Sequence, residues 1–268
     1  MLYIVATPIG NMREMSFRAV DVLNEVDFIA AEDTRRTGVL LNEFNIRKPL
    51  ISYQKHNERT VAARLIGLLK EGKDIALVSD AGMPLISDPG GILVEEAISA
   101  GLEYTVVSGP CAVINALVLS GLPADSFLMA GFLPEKPSDR KRFIQKYAEV
   151  EATLVFYSPP HNIAGDLEFL YSALGARKVA VVREITKIYE EVIRGRLGDA
   201  FSFTVKGEMV IVVEGAQSKA AALTAKTTIP EHIRHYLDMG LDMKEAVKRT
   251  ASDRRIAKSV VYAESLKM

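Results

Sequence analysis

The sequence predicts an α/β protein with two domains and a small helical tail. Short apolar runs alternate with amphipathic helical segments through the first half, which is the order of a parallel sheet covered by helices. After about residue 112 the order changes, and two strand-like segments follow each other without a helix between them. The 268 residues are enough for two hydrophobic cores of ordinary size. We therefore expect domains at 1–112 and 113–217, then a linker and helical tail at 218–268.

The first half is expected to alternate strands and helices. Ser16 is a typical helix N-cap, so one helix should begin there. A later helix carries apolar residues at i, i+4, i+7 and i+8 from Val61, and Gly72 ends it. The continuous apolar runs at 75–78 and 104–107 are typical of strands that are covered on both faces. Strands are predicted at 2–6, 28–31, 50–53, 75–78 and 104–107, with another helix at 34–44.

The second half is expected to hold a mixed sheet. The segment 112–119 is apolar on nearly every side, which predicts a buried helix in a position suited to joining the two domains. A strand-like segment at 190–193 follows Thr186 without an intervening helix, so we expect a hairpin. Further strands are predicted at 127–132, 153–157, 179–182 and 209–213, a helix from Ile163, a linker at about 217–228, and tail helices near 231–238, 243–251 and 256–266.

Composition and charge exclude several classes of protein. A hydrophobic content of 49% excludes a disordered chain, and the net charge of −1 gives no global field that would attract nucleic acid. The single cysteine, Cys111, allows no intramolecular disulfide, and with four scattered histidines it gives no zinc-binding spacing. The first residues lack a basic region, and no stretch approaches the ~18 apolar residues of a membrane helix. We therefore expect a cytoplasmic protein without a metal.

Four loops stand where parallel strands should end, which is where open α/β sheets bind ligands. They lie at 7–11, 32–35, 79–90 and 108–112. Their glycines allow a ligand to approach the backbone closely, although ordinary turns would also explain them. None is a GxGxxG motif or a P-loop, so a pyrophosphate cradle is unsupported. A nucleoside ligand without phosphates would not need one.

The segment Glu32-Asp33-Thr34-Arg35 crowds charged groups at one strand end. Catalytic groups tend to lie at such strand ends, so the charged side chains of this segment are candidates for catalysis. Alternatively, Asp33 or Thr34 caps the following helix, and Arg35 with its neighbour forms a solvated face. His56, after the third strand, is a surface residue beside a helix cap, or alternatively a base or an RNA contact. Cys111 is expected to be a small packing residue, because no histidine motif accompanies it.

Two groups of basic residues are candidate phosphate contacts, with a solvated charged surface as the alternative. One lies at a predicted helix start, and the other lies in the tail, where nine Lys or Arg residues stand against six Asp or Glu residues from Lys226 to Met268. The candidate RNA contacts are Arg36, Arg140, Lys141, Arg142, Arg249, Arg254, Arg255 and Lys258.

Taken together, these motifs resemble the tetrapyrrole methylase superfamily, and within it the enzymes that methylate small-subunit ribosomal RNA. The combination is highly specific, although each motif alone is not. The resemblance covers 2–216 strongly and the tail more weakly. The segments that carry it are 2–11, 31–35, 79–84, 109–112, 131–134, 183–187 and 206–210.

The resemblance implies a homodimer whose subunits each have two α/β domains with S-adenosylmethionine bound between them. It implies 2′-O-methylation of a cytidine in the decoding region of small-subunit (16S) rRNA. The family usually has Thr at Met83 and a different tetrapeptide at 158–161, so backbone rather than side-chain contacts carry over there. The implied cofactor contacts are Pro8, Asp80, Ala81, Gly82, Met83, Ser108, Gly109, Pro110, Cys111, Ala112, Tyr157, Arg183 and Glu214.

For catalysis we expect the 32–35 cluster, with Glu32 and Arg35, to lie near the ribose. A ribose hydroxyl is a poor nucleophile, so a base would help, and Asp33 and His56 are the candidates. Lys187 would orient the hydroxyl. The partner is ribosomal RNA or the assembled small subunit. Two alternatives stay open: a methyltransferase acting on a tetrapyrrole, and an RNA-binding assembly factor without catalysis.

Overall fold

The first sheet is fully parallel, as predicted. The computed structural model describes residues 1–202, 204–217 and 219–268, and of 219–222 the backbone alone. The sheet has the strand order β3-β2-β4-β1-β5. Each strand is linked to the next by a helical crossover, which leaves all carboxyl ends at one edge. The strands are β1 (Leu2–Val5), β2 (Phe28–Ala31), β3 (Leu50–Ser52), β4 (Ile75–Val78) and β5 (Tyr104–Val107).

Four helices accompany this sheet within the fully described residues 1–112, and the first two begin where the sequence predicts. The Ser16 side chain caps the first by accepting a hydrogen bond from the backbone of Ala19 at 3.1 Å. Asp33 caps the second through the backbone of Arg35. Gly72, after the third, has a φ of +83°, which glycine adopts without strain. The helices are α1 (Phe17–Glu25), α2 (Thr34–Glu43), α3 (Glu58–Lys70) and α4 (Gly91–Ser99).

Strands β4 and β5 have similar apolar sequences but differ in how far they are buried. Every residue of β4 is buried between its neighbours β2 and β1. In β5 the side chains of Tyr104 and Val106 are 42% and 44% exposed. The prediction that 104–107 is covered on both faces is therefore wrong, because β5 lies at the sheet edge.

The second sheet is mixed, which confirms the predicted hairpin. Its order is β6-β7-β10-β8-β9. Only the β6–β7 pair is parallel, while β10 runs antiparallel to both of its neighbours. Helices α6 (Pro137–Gln145) and α7 (Ile163–Leu174) accompany it. The strands are β6 (Phe127–Phe132), β7 (Thr153–Ser158), β8 (Lys178–Arg183), β9 (Glu191–Arg196) and β10 (Met209–Val213).

Helix α5 (Ala112–Ser120) connects the two sheets in sequence and packs against the second. Val113 and Leu117 share a core with Ile9 from the first half. On its other side, Ile114 is 43% and Val118 is 70% exposed. The predicted helix is present, but in a single chain it is buried along one face only.

The tail forms a separate helical unit with its own core, built around Ile233, Val247 and Val261. Its helices are α8 (Lys219–Lys226), α9 (Ile229–Asp238), α10 (Met243–Arg254) and α11 (Lys258–Ser265). Helix α8 occupies most of the predicted linker, and Ser218 lies outside the described residues. The domain boundaries at 112 and 217 stay predictions. None of the described helices has the length and apolar content needed to cross a bilayer.

Candidate active site

A cavity of about 380 Å³ lies between the two sheets. It opens at the carboxyl ends of β2, β4 and β7 and at the beginning of β10. The antiparallel pairing of β10 with β7 places Met209 opposite Ser158, so the start of one strand meets the end of the other. The lining residues are Ile9, Glu32, Arg36, Asp80, Ala81, Ile86, Ser87, Asp88, Ala112, Phe132, Tyr157, Ser158, Pro159, Pro160, Ile185, Glu208, Met209 and Val210.

Three loops of the first half interlock beside this cavity. Thr7 and Gly82 exchange two backbone hydrogen bonds of 2.9 and 3.0 Å. Gly82 has a φ of +84°, and a Cβ there would lie 3.5 Å from the carbonyl oxygen of Pro110. A Cβ at Gly109 would lie 2.9 Å from the side chain of Ala6. These glycines allow the loops at 7–11, 79–84 and 108–112 to approach each other, so the predicted convergence is present.

The first half supplies a wall of carboxylates. Asp80 accepts hydrogen bonds from the backbone of Asp33 at 2.9 Å and from the Arg36 guanidinium at 3.0 Å. Burial, followed by the charge of Asp80, raises the pKa of Glu32. Burial, together with the charge of Glu32, raises the pKa of Asp88 to about 6, although a hydrogen bond from Ser79 opposes the shift. The cavity therefore favours positive charge.

The second half supplies an apolar wall. The rings of Phe132 and Tyr157 lie 5.2 Å apart between centroids at a tilted angle. Met209 and Val210 of β10 stand nearby on the same wall. Burial raises the pKa of Tyr157 to about 12, so its hydroxyl stays protonated at neutral pH. Such a surface suits a flat heterocyclic ring.

The segment between Asp80 and Asp88 contains strained backbone. Leu85 and Ser87 adopt φ values of +72° and +74°, which side-chain-bearing residues rarely do. Strained positions of this kind cost about 1–3 kcal/mol each and cluster at functional sites. Here they turn Ile86, Ser87 and Asp88 into the cavity.

The predicted cofactor residues divide into three groups. Asp80, Ala81, Ala112 and Tyr157 line the cavity. Others belong to the interlocked loops without lining it themselves; these are Pro8, Gly82, Ser108, Gly109, Pro110 and Cys111. Cys111 packs against the core beneath α5, as expected.

Met83, Arg183 and Glu214 form the third group, whose side chains point elsewhere. Met83 packs against the core of the first half. The Arg183 guanidinium is paired with Glu191 at 3.0 Å. Glu214 lies at the far end of β10, where it pairs with Lys178 at 3.3 Å. The expectation of a cofactor contact at Glu214 is wrong for this cavity, because β10 runs antiparallel and presents its beginning there.

The predicted catalytic residues are not all brought together. Glu32 lines the cavity, but Asp33 is the cap of α2, and hydrogen bonds from Arg35 lower its pKa to about 2. Arg35 is 90% exposed and paired with Asp33 at 3.0 Å. His56 is exposed in the turn before α3 and is not among the lining residues. Neither candidate base is therefore suited to that role.

Lys187 is held by two carboxylates. Its ammonium lies 2.9 Å from Glu184 and 3.0 Å from Glu208. Burial opposes its charge, but the two hydrogen bonds prevail and raise its pKa above the usual value. The ammonium of Lys187 is therefore held beside Glu208 of the cavity wall, and its expected role of orienting the ribose hydroxyl stays a prediction.

Several candidate RNA contacts have structural partners instead. Arg140 is 18% exposed, pairs with the buried Asp166 and lies over the ring of Phe169. Arg254 donates to the buried His232 at 3.1 Å and to carbonyl oxygens at the start of α9. The remaining candidates are more exposed; these are Arg36, Lys141, Arg142, Arg249, Arg255 and Lys258.

Residues that sequence reasoning missed come from two short segments. Asp88 lies within the loop at 79–90 that was singled out, but it was not chosen as a site residue. Glu208, Met209 and Val210 belong to one of the motifs that carry the family resemblance. Among the described residues, no cluster of three or more potential ligands is arranged to hold a metal ion.

Comparison with known proteins defines the class. Residues 1–200 match the family model of Tetrapyrrole (Corrin/Porphyrin) Methylases, and the chain belongs to this family. The chain is 45% identical to Ribosomal RNA small subunit methyltransferase I of Halalkalibacterium halodurans, over 97% of this chain and 93% of the relative. It is 40% identical to the protein of that name from Bacillus subtilis, over 98% and 92%.

Solved structures share the fold at lower identity. A uroporphyrin-III-C-methyltransferase from Thermus thermophilus matches with a TM-score of 0.56 and 24% identity, over 80% of this chain and 93% of that one. A diphthine synthase matches with a TM-score of 0.61 and 15% identity, over 80% and 90%. The two-sheet architecture is therefore that of the family.

The cavity fits S-adenosylmethionine, the methyl donor of this family. Its volume lies within the ~300–1,000 Å³ typical of small-molecule sites. Arg36 is the only cationic side chain among the described lining residues, and it already pairs with Asp80. A phosphate-bearing ligand would meet the carboxylates unfavourably, whereas a sulfonium cation and an ammonium group would be attracted.

Proposed function

We infer that this chain transfers the methyl group of S-adenosylmethionine to the 2′-hydroxyl of a cytidine in the decoding region of small-subunit ribosomal RNA. The observation that carries the proposal is the cavity between the sheets, with carboxylates on one wall and aromatic rings on the other. The names of the relatives supply the substrate class. The nucleotide and the 2′-oxygen rest on the motif resemblance.

Each wall has a separate part in holding the cofactor. The apolar wall around Tyr157 and Val210 would bind the adenine ring by stacking and van der Waals contact. The loops at Ala81 and Ala112 would offer backbone groups to its polar atoms. The carboxylates of Glu32 and Asp80 would attract its positive charges.

The chemistry depends mainly on positioning. When bound, the cofactor supplies an electrophilic methyl group on a sulfonium centre. The protein holds the ribose oxygen in line with that methyl, and such alignment can contribute several kcal/mol to the rate. Because the site is a cleft, the nucleotide must leave its stack to enter it. The apolar wall excludes water from the point of transfer.

Exposed cations outside the cavity would bind the flanking phosphates. Arg142 is 79% exposed in the last turn of α6, and Arg255 and Lys258 lie at the exposed turn between α10 and α11. Phosphate contacts of this kind give affinity without sequence preference. RNA binding should therefore weaken steeply as the salt concentration rises.

We also infer that the protein acts as a homodimer in the cytoplasm. Two consecutive elements expose apolar side chains in a single chain, namely Tyr104 and Val106 of β5 and Ile114 and Val118 of α5. Covering them with a second copy would remove this surface from water. Sedimentation at several concentrations tests the dimer.

Two measurements test the activity. Calorimetric titration should give saturable binding of S-adenosylmethionine, and its absence would favour an assembly factor without catalysis. Small ribosomal subunits, naked rRNA and uroporphyrinogen should then be offered separately with labelled donor. Mass-spectrometric mapping should place the label on a cytidine ribose, and transfer to uroporphyrinogen alone would refute the proposal.

A further inference from the structure

We propose that Asp88 is the catalytic base that accepts the proton of the ribose hydroxyl. This inference rests on the proposed function, in that it assumes transfer to a hydroxyl in the cavity between the sheets. The two candidate bases chosen from sequence are excluded by position and by ion pairing, whereas Asp88 stands on the cavity wall.

The loop geometry directs this carboxyl into the cleft. The segment that carries it has left-handed backbone at Leu85 and Ser87, and a φ of +141° at Gly90. A Cβ at Gly90 would lie 2.7 Å from the Leu85 side chain, so the loop is closed tightly on itself. The Gly90 backbone also donates to Glu58 at 2.8 Å. The position of Asp88 is therefore fixed by its neighbours.

The surroundings give the carboxyl a proton affinity suited to its task. The charged and titratable groups that line the same cavity are Glu32 after β2, Arg36 in α2, Asp80 after β4, Tyr157 in β7 and Glu208 directly before β10. Burial is the main reason why its pKa rises to about 6. A base whose pKa lies slightly below neutral is ionised at working pH and still accepts a proton effectively.

Asp88 would accept the proton that methyl transfer releases from the ribose hydroxyl. The hydroxyl proton passes to the Asp88 carboxylate while a bond forms between the ribose oxygen and the methyl carbon. The bond from that carbon to sulfur breaks, and its electron pair stays on sulfur as a neutral thioether. The proton then leaves Asp88 for water, which restores the carboxylate.

Two neighbouring residues should shift the pKa of Asp88 in opposite directions. The polar hydroxyl of the buried Ser79 favours the charged form of Asp88, so Ser79→Ala should raise the pKa of Asp88. The like charge of Glu32 disfavours that form, so Glu32→Gln should lower it. Carbon-13 NMR of the Asp88 carboxyl in the free protein would follow both shifts without any turnover.

Turnover at saturating donor and RNA between pH 5 and 8 completes the test. In wild type, kcat should fall on the acidic side of the pH profile. One pH unit below the midpoint it should be about one tenth of its plateau value. Asp88→Asn should lose ~10²–10⁴-fold in kcat and lose this fall at acidic pH, while its affinity for S-adenosylmethionine stays near wild type. Its Tm at neutral pH should be no lower than that of wild type, because the substitution removes a charge that burial disfavours. Asp88→Glu should recover part of the rate, and the exposed Asp21→Asn serves as matched control.

The outcomes separate the two proposals. If wild type neither binds the donor nor transfers methyl groups, the proposed function fails. If wild type is active and Asp88→Asn keeps more than half its rate, the assignment of the base is wrong. A loss of donor affinity that equals the loss of rate would also overturn it, since Asp88 would then bind the cofactor. Unshifted NMR midpoints in both neighbour variants would contradict the electrostatic argument.

Discussion

Replacing Arg140 with methionine should destabilise the second half of the protein without weakening its contact with RNA. Asp166 is 2% exposed and accepts from Arg140 and, at 2.6 Å, from the hydroxyl of Ser158. Arg140→Met keeps the aliphatic length but leaves the Asp166 charge buried with one remaining donor. The predicted outcome separates a structural role for Arg140 from the phosphate contact that the basic run Arg140-Lys141-Arg142 suggests.

The size of the effect follows from burial. Breaking a buried pair by removing one partner costs ~3–5 kcal/mol, because the remaining charge is uncompensated. Arg140 is 18% exposed, and the Ser158 hydroxyl would still donate a hydrogen bond to Asp166 in the variant. We therefore expect a loss of stability at the lower end of this range, about 3 kcal/mol. At ~2–4 °C per kcal/mol for a chain of this size, the Tm should fall by roughly 6–12 °C.

The assay combines thermal unfolding with RNA binding at low temperature, where the variant is folded. Arg142→Met is the matched control, because Arg142 is 79% exposed and 4.0 Å from Asp139. It should change stability by less than ~0.5 kcal/mol and should weaken RNA binding. Adding Asp166→Leu to Arg140→Met should restore most of the stability, since no buried charge remains.

Either of two results would refute this reasoning. If Arg140→Met had the Tm of wild type and bound RNA less tightly, Arg140 would be a phosphate contact after all. If the double variant were no more stable than the single one, the buried charge of Asp166 would not be the cause of the loss.

Three further predictions concern the cavity and the tail. Since the pKa of Asp88 is about 6 in the folded protein and ordinarily 3.8, the folded state binds more protons between these values. The stability contributed by Asp88 should therefore fall as pH rises from about 4 to 6, and urea midpoints of Asp88→Asn should lack this slope. Gly82→Ala should cost ~1–2 kcal/mol at its positive φ and weaken donor binding in calorimetry, so a wild-type Tm would contradict the strain argument. Alanine at both Arg255 and Lys258 should reduce the salt slope of RNA binding by about 2, whereas Arg254→Ala should lower the Tm of the tail instead.

Local patterns placed most of the secondary structure because they depend on neighbouring residues only. The apolar run at Ile75–Val78 is a strand, and Ser16 and Asp33 cap helices through hydrogen bonds within one turn. Because these patterns depend on neighbouring residues only, they also gave wrong predictions for β5 and α8. An apolar run does not reveal whether a strand is central or at an edge, so β5 was expected to be covered. Helix α8 was missed because a stretch rich in Ala, Lys and Thr has no apolar periodicity.

Charged residues show the limit of sequence patterns most clearly. Arg140 and Arg142 are two positions apart and equal in chemistry, yet one is paired with a buried carboxylate and the other is exposed. Lys187 is similarly engaged by two carboxylates, one of them 21 residues away in sequence. Partners so distant along the chain become neighbours only when the strands pair.

The sequence by itself determined the order of strands and helices, the edge of the first sheet at which the cavity lies, and the family. These follow from short-range periodicity and from loops whose residue types recur together. Only the tertiary structure decided which end of β10 reaches the cavity, and therefore that Glu208 and not Glu214 stands there. It also decided that Asp88 is half-buried in a cavity that it shares with Glu32 and Asp80. Strand direction and desolvation depend on packing between distant segments, so no local pattern encodes them.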